Sequence, residues 1–168
     1  MRSARTHSSA FTLIELLIVI AIIGVLSAIS IPSFSTFTNN QRLSQAAKQV
    51  KNDLRSAQNR ALSGVGGMAW GVNVSAGGTF YKLFKCPTTV AYTLTNCSLV
   101  AQKNLPSGFE IQNLTAFNND LVFDVASGEL YADGVLVTAG AFSFDVGLLD
   151  GSASRTITVS AGGKIEEQ

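Results

Sequence analysis

Few residues in this chain have the type and spacing to do chemistry. The first is Glu15, the only charged residue between Ser9 and Leu26, set five places into a run of Leu, Ile and Val. A carboxylate in hydrocarbon costs on the order of 3 kcal/mol by insertion scales. A cut between Ala10 and Phe11 would account for it. Cleavage there frees an amine on Phe11, four residues before the carboxylate. The two charges can neutralise each other, within one chain or between neighbours. The positive end of the helix dipole also favours a carboxylate in the first turn. Such a buried pair fixes register more than it adds stability, and losing one partner costs roughly 3–5 kcal/mol.

The second constellation is Cys86 and Cys97, which flank the ten residues 87–96. In an exported domain, two cysteines at this spacing most simply form a disulfide. Closing a loop of that size stabilises by about 2–3 kcal/mol in the chain-entropy model. A metal site lacks further ligands. His7 is the only histidine and precedes the expected cut, so the mature chain has none. Ser-His-Asp and Cys-His catalysis fall with it. No phosphate loop or paired-carboxylate motif stands out. The expectation is a protein that is not an enzyme, with no cofactor and no metal. Trp70 and the ten Phe read as core.

The elements that must position these residues begin with the apolar run. Phe11 to Ile31 is broken only by Thr12, Glu15, Gly24, Ser27 and Ser30. It is long enough to span a bilayer, which needs roughly 20 residues. A secretory signal has a shorter apolar region and an A-x-A-like site, whereas here Leu26 precedes Ser27-Ala28. Arg2 and Arg5 come before the run and no acid does, the pattern of an N-terminus that stays cytoplasmic. Past Pro32, the residues Leu43, Ala47, Val50, Leu54, Ala57 and Ala61 recur at intervals of four and three, one stripe of an amphipathic helix. Pro32 is expected to break, kink or loosen the helix. Asn39 or Asn40 is positioned to cap a restart, and Gly64, Gly66 and Gly67 to end it. One such helix over 11–63 is about 80 Å long.

Ser44, Lys48, Lys51 and Arg55 share the opposite face. The expectation is a solvated face that meets the acidic surface of a neighbouring subunit; the rival is an acidic partner, DNA included. Net charge is only +1, so the whole chain is not an electrostatic nucleic-acid binder. From Ser63 onward nine acids face five bases. That part alternates in short runs between Gly, Asn, Asp and Ser, a strand pattern. Strands are expected over 69–75, 79–85, 109–114, 121–125, 129–132, 141–146 and 156–160, with turns at Ser127-Gly128 and Asp133-Gly134. Helix stripe and sheet cover each other, which predicts an α+β fold with an antiparallel β-sheet domain.

Ala10-Phe11-Thr12-Leu13-Ile14-Glu15-Leu16 resembles the class III signal of type IV prepilins and type II secretion pseudopilins. The resemblance implies a membrane-embedded prepilin peptidase that cuts before Phe11 and methylates its amine. The family usually has Gly before the cut, where this chain has Ala10. Pro32 falls where the family often has a helix-breaking Pro. More loosely, Asp53-Leu-Arg-Ser-Ala-Gln-Asn-Arg-Ala-Leu, Trp70-Gly71, Leu121-Val-Phe-Asp…Gly128 and Ile157-Thr-Val-Ser-Ala-Gly-Gly-Lys are similar to the GspH/FimT-type minor pilins and pseudopilins.

The resemblance implies a leader over 1–10, a membrane-spanning and filament-core helix over 11–31, an amphipathic helix over 32–63 and a globular β domain over 64–168. It implies a single-pass inner-membrane protein, its C-terminal domain outside the cytoplasm, that then packs into a pilus or pseudopilus. Its partners would be other pilin or pseudopilin subunits, the prepilin peptidase, an assembly ATPase and an inner-membrane platform protein. Glu15 would be the assembly contact. A DNA-uptake minor pilin is the alternative function, since some FimT-type members touch DNA through a C-terminal Gly-Arg region. Here Gly163-Lys164 is followed by Glu166 and Glu167, and those acids argue against phosphate contacts.

Overall fold

A computed structural model describes residues 11–88, 92, 94–115 and 119–168, with the backbone alone at 29–33. Ala10 and His7 lie outside the described residues. The chain divides into two compact units, 1–39 and 40–168.

A single helix, α1 (Leu13–Leu62), begins in the first unit and ends in the second. In the first unit its large apolar side chains are exposed on every face, from Leu13 to Leu26 and again at Phe34 and Phe37. The backbone is helical through position 32, so Pro32 does not end the element, and Asn39 and Asn40 lie inside it rather than capping a restart. A proline removes one donor and displaces one carbonyl; the bonds on either side are enough to carry the helix on. Among the described residues no helix is long and apolar enough to cross a membrane.

In the second unit the expected stripe is the inner face of α1. Leu43, Ala46, Ala47, Val50, Leu54, Ala57 and Ala61 are all buried. The helix stops at Gly64, whose φ of 62° is left-handed, where glycine carries no steric penalty. Ten strands follow: β1 (Met68–Asn73), β2 (Phe80–Pro87), β3 (Ser98–Asn104), β4 (Phe109–Gln112), β5 (Asp120–Phe123), β6 (Leu130–Ala132), β7 (Val135–Leu136), β8 (Ala141–Leu148), β9 (Ser154–Ser160) and β10 (Ile165–Glu167). They form a six-stranded sheet ordered β3-β2-β1-β5-β6-β7 and a four-stranded sheet ordered β10-β9-β8-β4. Every pairing is antiparallel. One apolar cluster joins the α1 stripe to Trp70, Val72, Leu121 and Phe123 of the larger sheet and to Phe144 and Ile157 of the smaller. The α+β expectation holds, and each of the seven expected strands has a counterpart. Asp133-Gly134 is the two-residue β6–β7 turn, with φ of 50° and 80°, the sign that a type I′ turn needs at both positions.

The back of the larger sheet carries a second cluster of Ala69, Phe84, Cys86, Tyr92 and Val122. Leu94 and Cys97 pack against it beside the Cys86–Cys97 disulfide. Two carboxylates of the β5 region hold Tyr92 and Leu94. Asp120 accepts from the Leu94 N–H at 2.8 Å and from Asn73 Nδ2 at 2.7 Å. Asp124 accepts from the Tyr92 hydroxyl at 2.5 Å. Burial first, and then the bond and charge of Asp124, push the Tyr92 phenol well above its ordinary range. Tyr92 also meets Tyr131 edge-on, ring centroids 5.0 Å apart.

Gly71 sits in the middle of this face, opposite Phe84 on β2 and Val122 on β5. A Cβ there would stand 2.7 Å from the Phe84 ring and 2.7 Å from the Leu121 carbonyl oxygen. The carbonyl belongs to the sheet and cannot yield. Gly71→Ala is therefore expected to destabilise the domain by about 1–3 kcal/mol. Urea unfolding of the full chain in detergent would read this as a lower midpoint at unchanged slope.

Candidate assembly site

Glu15 lies in the first turn of α1, and its partner is one the spacing Thr12-x-x-Glu15 already encodes. The Glu15 backbone N–H donates to Thr12 Oγ1 at 3.3 Å. The Thr12 backbone N–H and hydroxyl both donate to Glu15 Oε2 at 3.3 Å. Thr12 is the N-cap and Glu15 the third helical residue, so this is a capping box. It satisfies two of the N–H groups that a helix start leaves without partners. The carboxylate thus has a role within its own chain, besides the favourable helix dipole. Sequence reading centred on the charge of Glu15 passed over Thr12; the signal available was a Thr three residues before a Glu, ahead of an apolar run. Oε1 of Glu15 has no hydrogen bond among the described residues.

Around this turn the surface is apolar. Phe11 is 84% exposed and Leu13 81%. Single exposed apolar residues are ordinary, but a contiguous patch of this extent marks an interaction surface. The capping box therefore sits at the head of an apolar helix that nothing in its own unit covers.

The basic face of α1 is solvated at Lys48 and Arg55, as expected, but also makes contacts within the chain. Lys51 Nζ pairs with Glu167 Oε2 at 2.8 Å, the Arg55 guanidinium donates to the Ile165 carbonyl at 3.2 Å, and Gln58 Nε2 donates to the Gly163 carbonyl at 2.7 Å. Lys51, Arg55 and Gln58 lie one helical turn apart on one face, and together they hold β10. Lys164 pairs with Glu166 at 2.6 Å. Lys48 is exposed and Ser44 half-buried. The sequence pattern of the helix alone does not reveal the short acidic strand β10 that meets this face.

The sites read from sequence thus separate. Phe11, Glu15 and Pro32 belong to the first unit, and Cys86 and Cys97 to the second. The two cysteines form the expected disulfide.

Comparison with known proteins bears on both units. Residues 5–31 match the family model described as the prokaryotic N-terminal methylation motif. A fimbrial protein of Pseudomonas aeruginosa is 43% identical over 54 residues, 32% of this chain and 35% of that protein. The type IV major pilin protein PilA of Myxococcus xanthus is 54% identical over 53 residues, 30% of this chain and 24% of that protein. The chain therefore spans about a quarter to a third of the length of the curated relatives it matches. The fold is similar to that of the minor pseudopilin EpsH from the Type 2 Secretion System of Vibrio cholerae, with a TM-score of 0.55 at 12% identity over 76% of this chain and 96% of that one. The motif and these relatives match only the N-terminal part of the chain, and the likeness to EpsH is one of fold.

Loss of the cap should show locally. Thr12→Val removes the Oγ1 acceptor and donor at little change in volume, at an expected cost of about 1 kcal/mol to the helix start. Hydrogen exchange of the full chain in micelles should then speed up at Leu13–Leu16 and stay unchanged from Leu43 onward.

Proposed function

We propose that the chain is a structural subunit of a type IV pilus or a type II secretion pseudopilus, built into the filament through α1. The observation that carries this reading is the apolar first unit. Its side chains are exposed all round, and it is headed by a methylation motif and a capped carboxylate. Such a helix is stable in water only once something apolar covers it. A bilayer serves first and a bundle of sister helices afterwards.

In this reading a prepilin peptidase cuts between Ala10 and Phe11 and methylates the Phe11 amine. The leader 1–10 stays cytoplasmic, 11–31 spans the inner membrane, and the C-terminal domain stands outside the cytoplasm. An assembly ATPase and an inner-membrane platform protein then move the subunit into the filament. Pro32, with one donor missing, is where the helix can loosen as it passes from lipid to protein packing. Glu15 uses one oxygen for its own cap and offers the other to the Phe11 amine of a neighbour. The DNA-uptake alternative draws no support from the C-terminus, where Lys164 and Lys51 are already paired with Glu166 and Glu167.

Two experiments test this. Mass spectrometry of the mature protein should find an N-terminal Phe11 carrying one added methyl group; a start at Met1 or beyond Ala28 would refute the processing. The second separates the two roles of Glu15. Glu15→Gln keeps a cap, since Gln serves in a capping box, but removes the charge. It should be made, inserted and cut like the wild type, yet be depleted from sheared filaments. Incorporation at the wild-type level would reduce Glu15 to a cap.

A further inference from the structure

The second unit holds a cavity of about 160 Å³ between α1 and the β3 side of the larger sheet, lined by Asp53, Ser56 and Arg60 from the helix and by Trp70, Val100 and Lys103 from the strands. Its polar groups are unevenly matched. Asp53 has a donor on each oxygen: Oδ1 takes Lys103 Nζ at 3.0 Å and Oδ2 the Tyr81 hydroxyl at 2.5 Å. It has little left to offer a cation. The donors, by contrast, are in surplus. Lys103 has used one of its three N–H groups on Asp53. Arg60 lies over the Trp70 ring, 4.7 Å from its centroid, and makes no ion pair among the described residues. Trp70 is only 7% exposed, and its indole N–H is buried with no acceptor. Buried donors are nearly always satisfied, so an orphan one points to a missing partner. Two cations against one carboxylate leave the lining with one net positive charge. The remaining walls, Ala57, Leu83 and Ala101, are apolar.

We propose that this cavity is a binding site for a carboxylate carried on a short apolar stem, such as the side chain of a glutamate. The carboxylate takes its hydrogen bonds from Arg60 and Lys103. The stem lies against Ala57 and Ala101. β3 is the outer strand of its sheet, so the acid can arrive on a free molecule or on a second copy of this chain. The site does not depend on the filament reading.

Trp70 is the only tryptophan, so its emission in the full chain, held in detergent micelles, reports on the cavity directly. N-acetyl-glutamate amide should shift that emission saturably, and its uncharged counterpart N-acetyl-glutamine amide should bind at least about tenfold more weakly, the worth of one charge-assisted hydrogen bond. Arg60→Gln should lose a similar factor, with far-UV circular dichroism unchanged. An equal response to both amides overturns the proposal, whether or not the variant folds; so does wild-type affinity in Arg60→Gln. A dilution series of the chain alone distinguishes the sources. A shift that grows with protein concentration and vanishes in Arg60→Gln assigns the carboxylate to a second copy. A shift seen only with the added amide assigns it to a free ligand. No shift in either arm overturns the site.

Discussion

The second unit depends on one contact surface, the stripe of α1 from Leu43 to Ala61. Four of its seven buried residues are alanines. Small side chains let the helix axis approach the sheets closely, and the larger groups of the strands, such as Phe123 and Phe144, fill the space between. Close-packed interiors respond to changes of a single methylene, so a bulkier residue at Ala47 or Ala57 would lift the helix from both sheets at once. The same stripe joins two sheets that share no strand pairing. Without it each would keep an apolar face and have nothing to bury it against.

Much of this was legible in the residues. The three-and-four spacing from Leu43 gave the buried face, the Gly cluster gave the helix end, and the alternation of apolar residues gave seven strands. The strands that went unseen are the ones whose pattern carries little burial. β3 is mostly exposed along its length, β7 has two residues, and β10 reads Ile-Glu-Glu. Edge strands of this kind are made by pairing with a neighbour, which a single-strand pattern does not contain. The β10 contacts of Lys51 and Arg55 were hidden for the same reason, although Lys48 and Arg55 are exposed as expected. Pro32 and the two asparagines gave local breaking signals that the continuous helix overrides.

At the candidate site the charge of Glu15 was conspicuous and its hydrogen bonds were not. A carboxylate among leucines draws attention to the cost of burying it. The capping box answers a different need, the unpaired N–H groups of the first turn. The two needs are compatible, because a carboxylate has two oxygens and Thr12 occupies one of them. The back of the larger sheet was likewise hidden. The spacing of Cys86 and Cys97 suggested a closed loop, but not that Asp120 and Asp124 would hold Leu94 and Tyr92.

The grip of α1 on β10 has a consequence in time. Lys51, Arg55 and Gln58 reach partners 116, 110 and 105 positions further along the chain. A polypeptide emerges from the ribosome in order, so the stripe appears more than a hundred residues before these partners. Contacts this distant in sequence form slowly, since the entropy of closing a large loop is lost before any contact repays it. Until residues 163–167 arrive, the smaller sheet lacks an edge strand and the helix lacks three of its tethers. Closure of the domain therefore waits for residues 163–167, and a product truncated before them would carry an open, adhesive core rather than a smaller finished one.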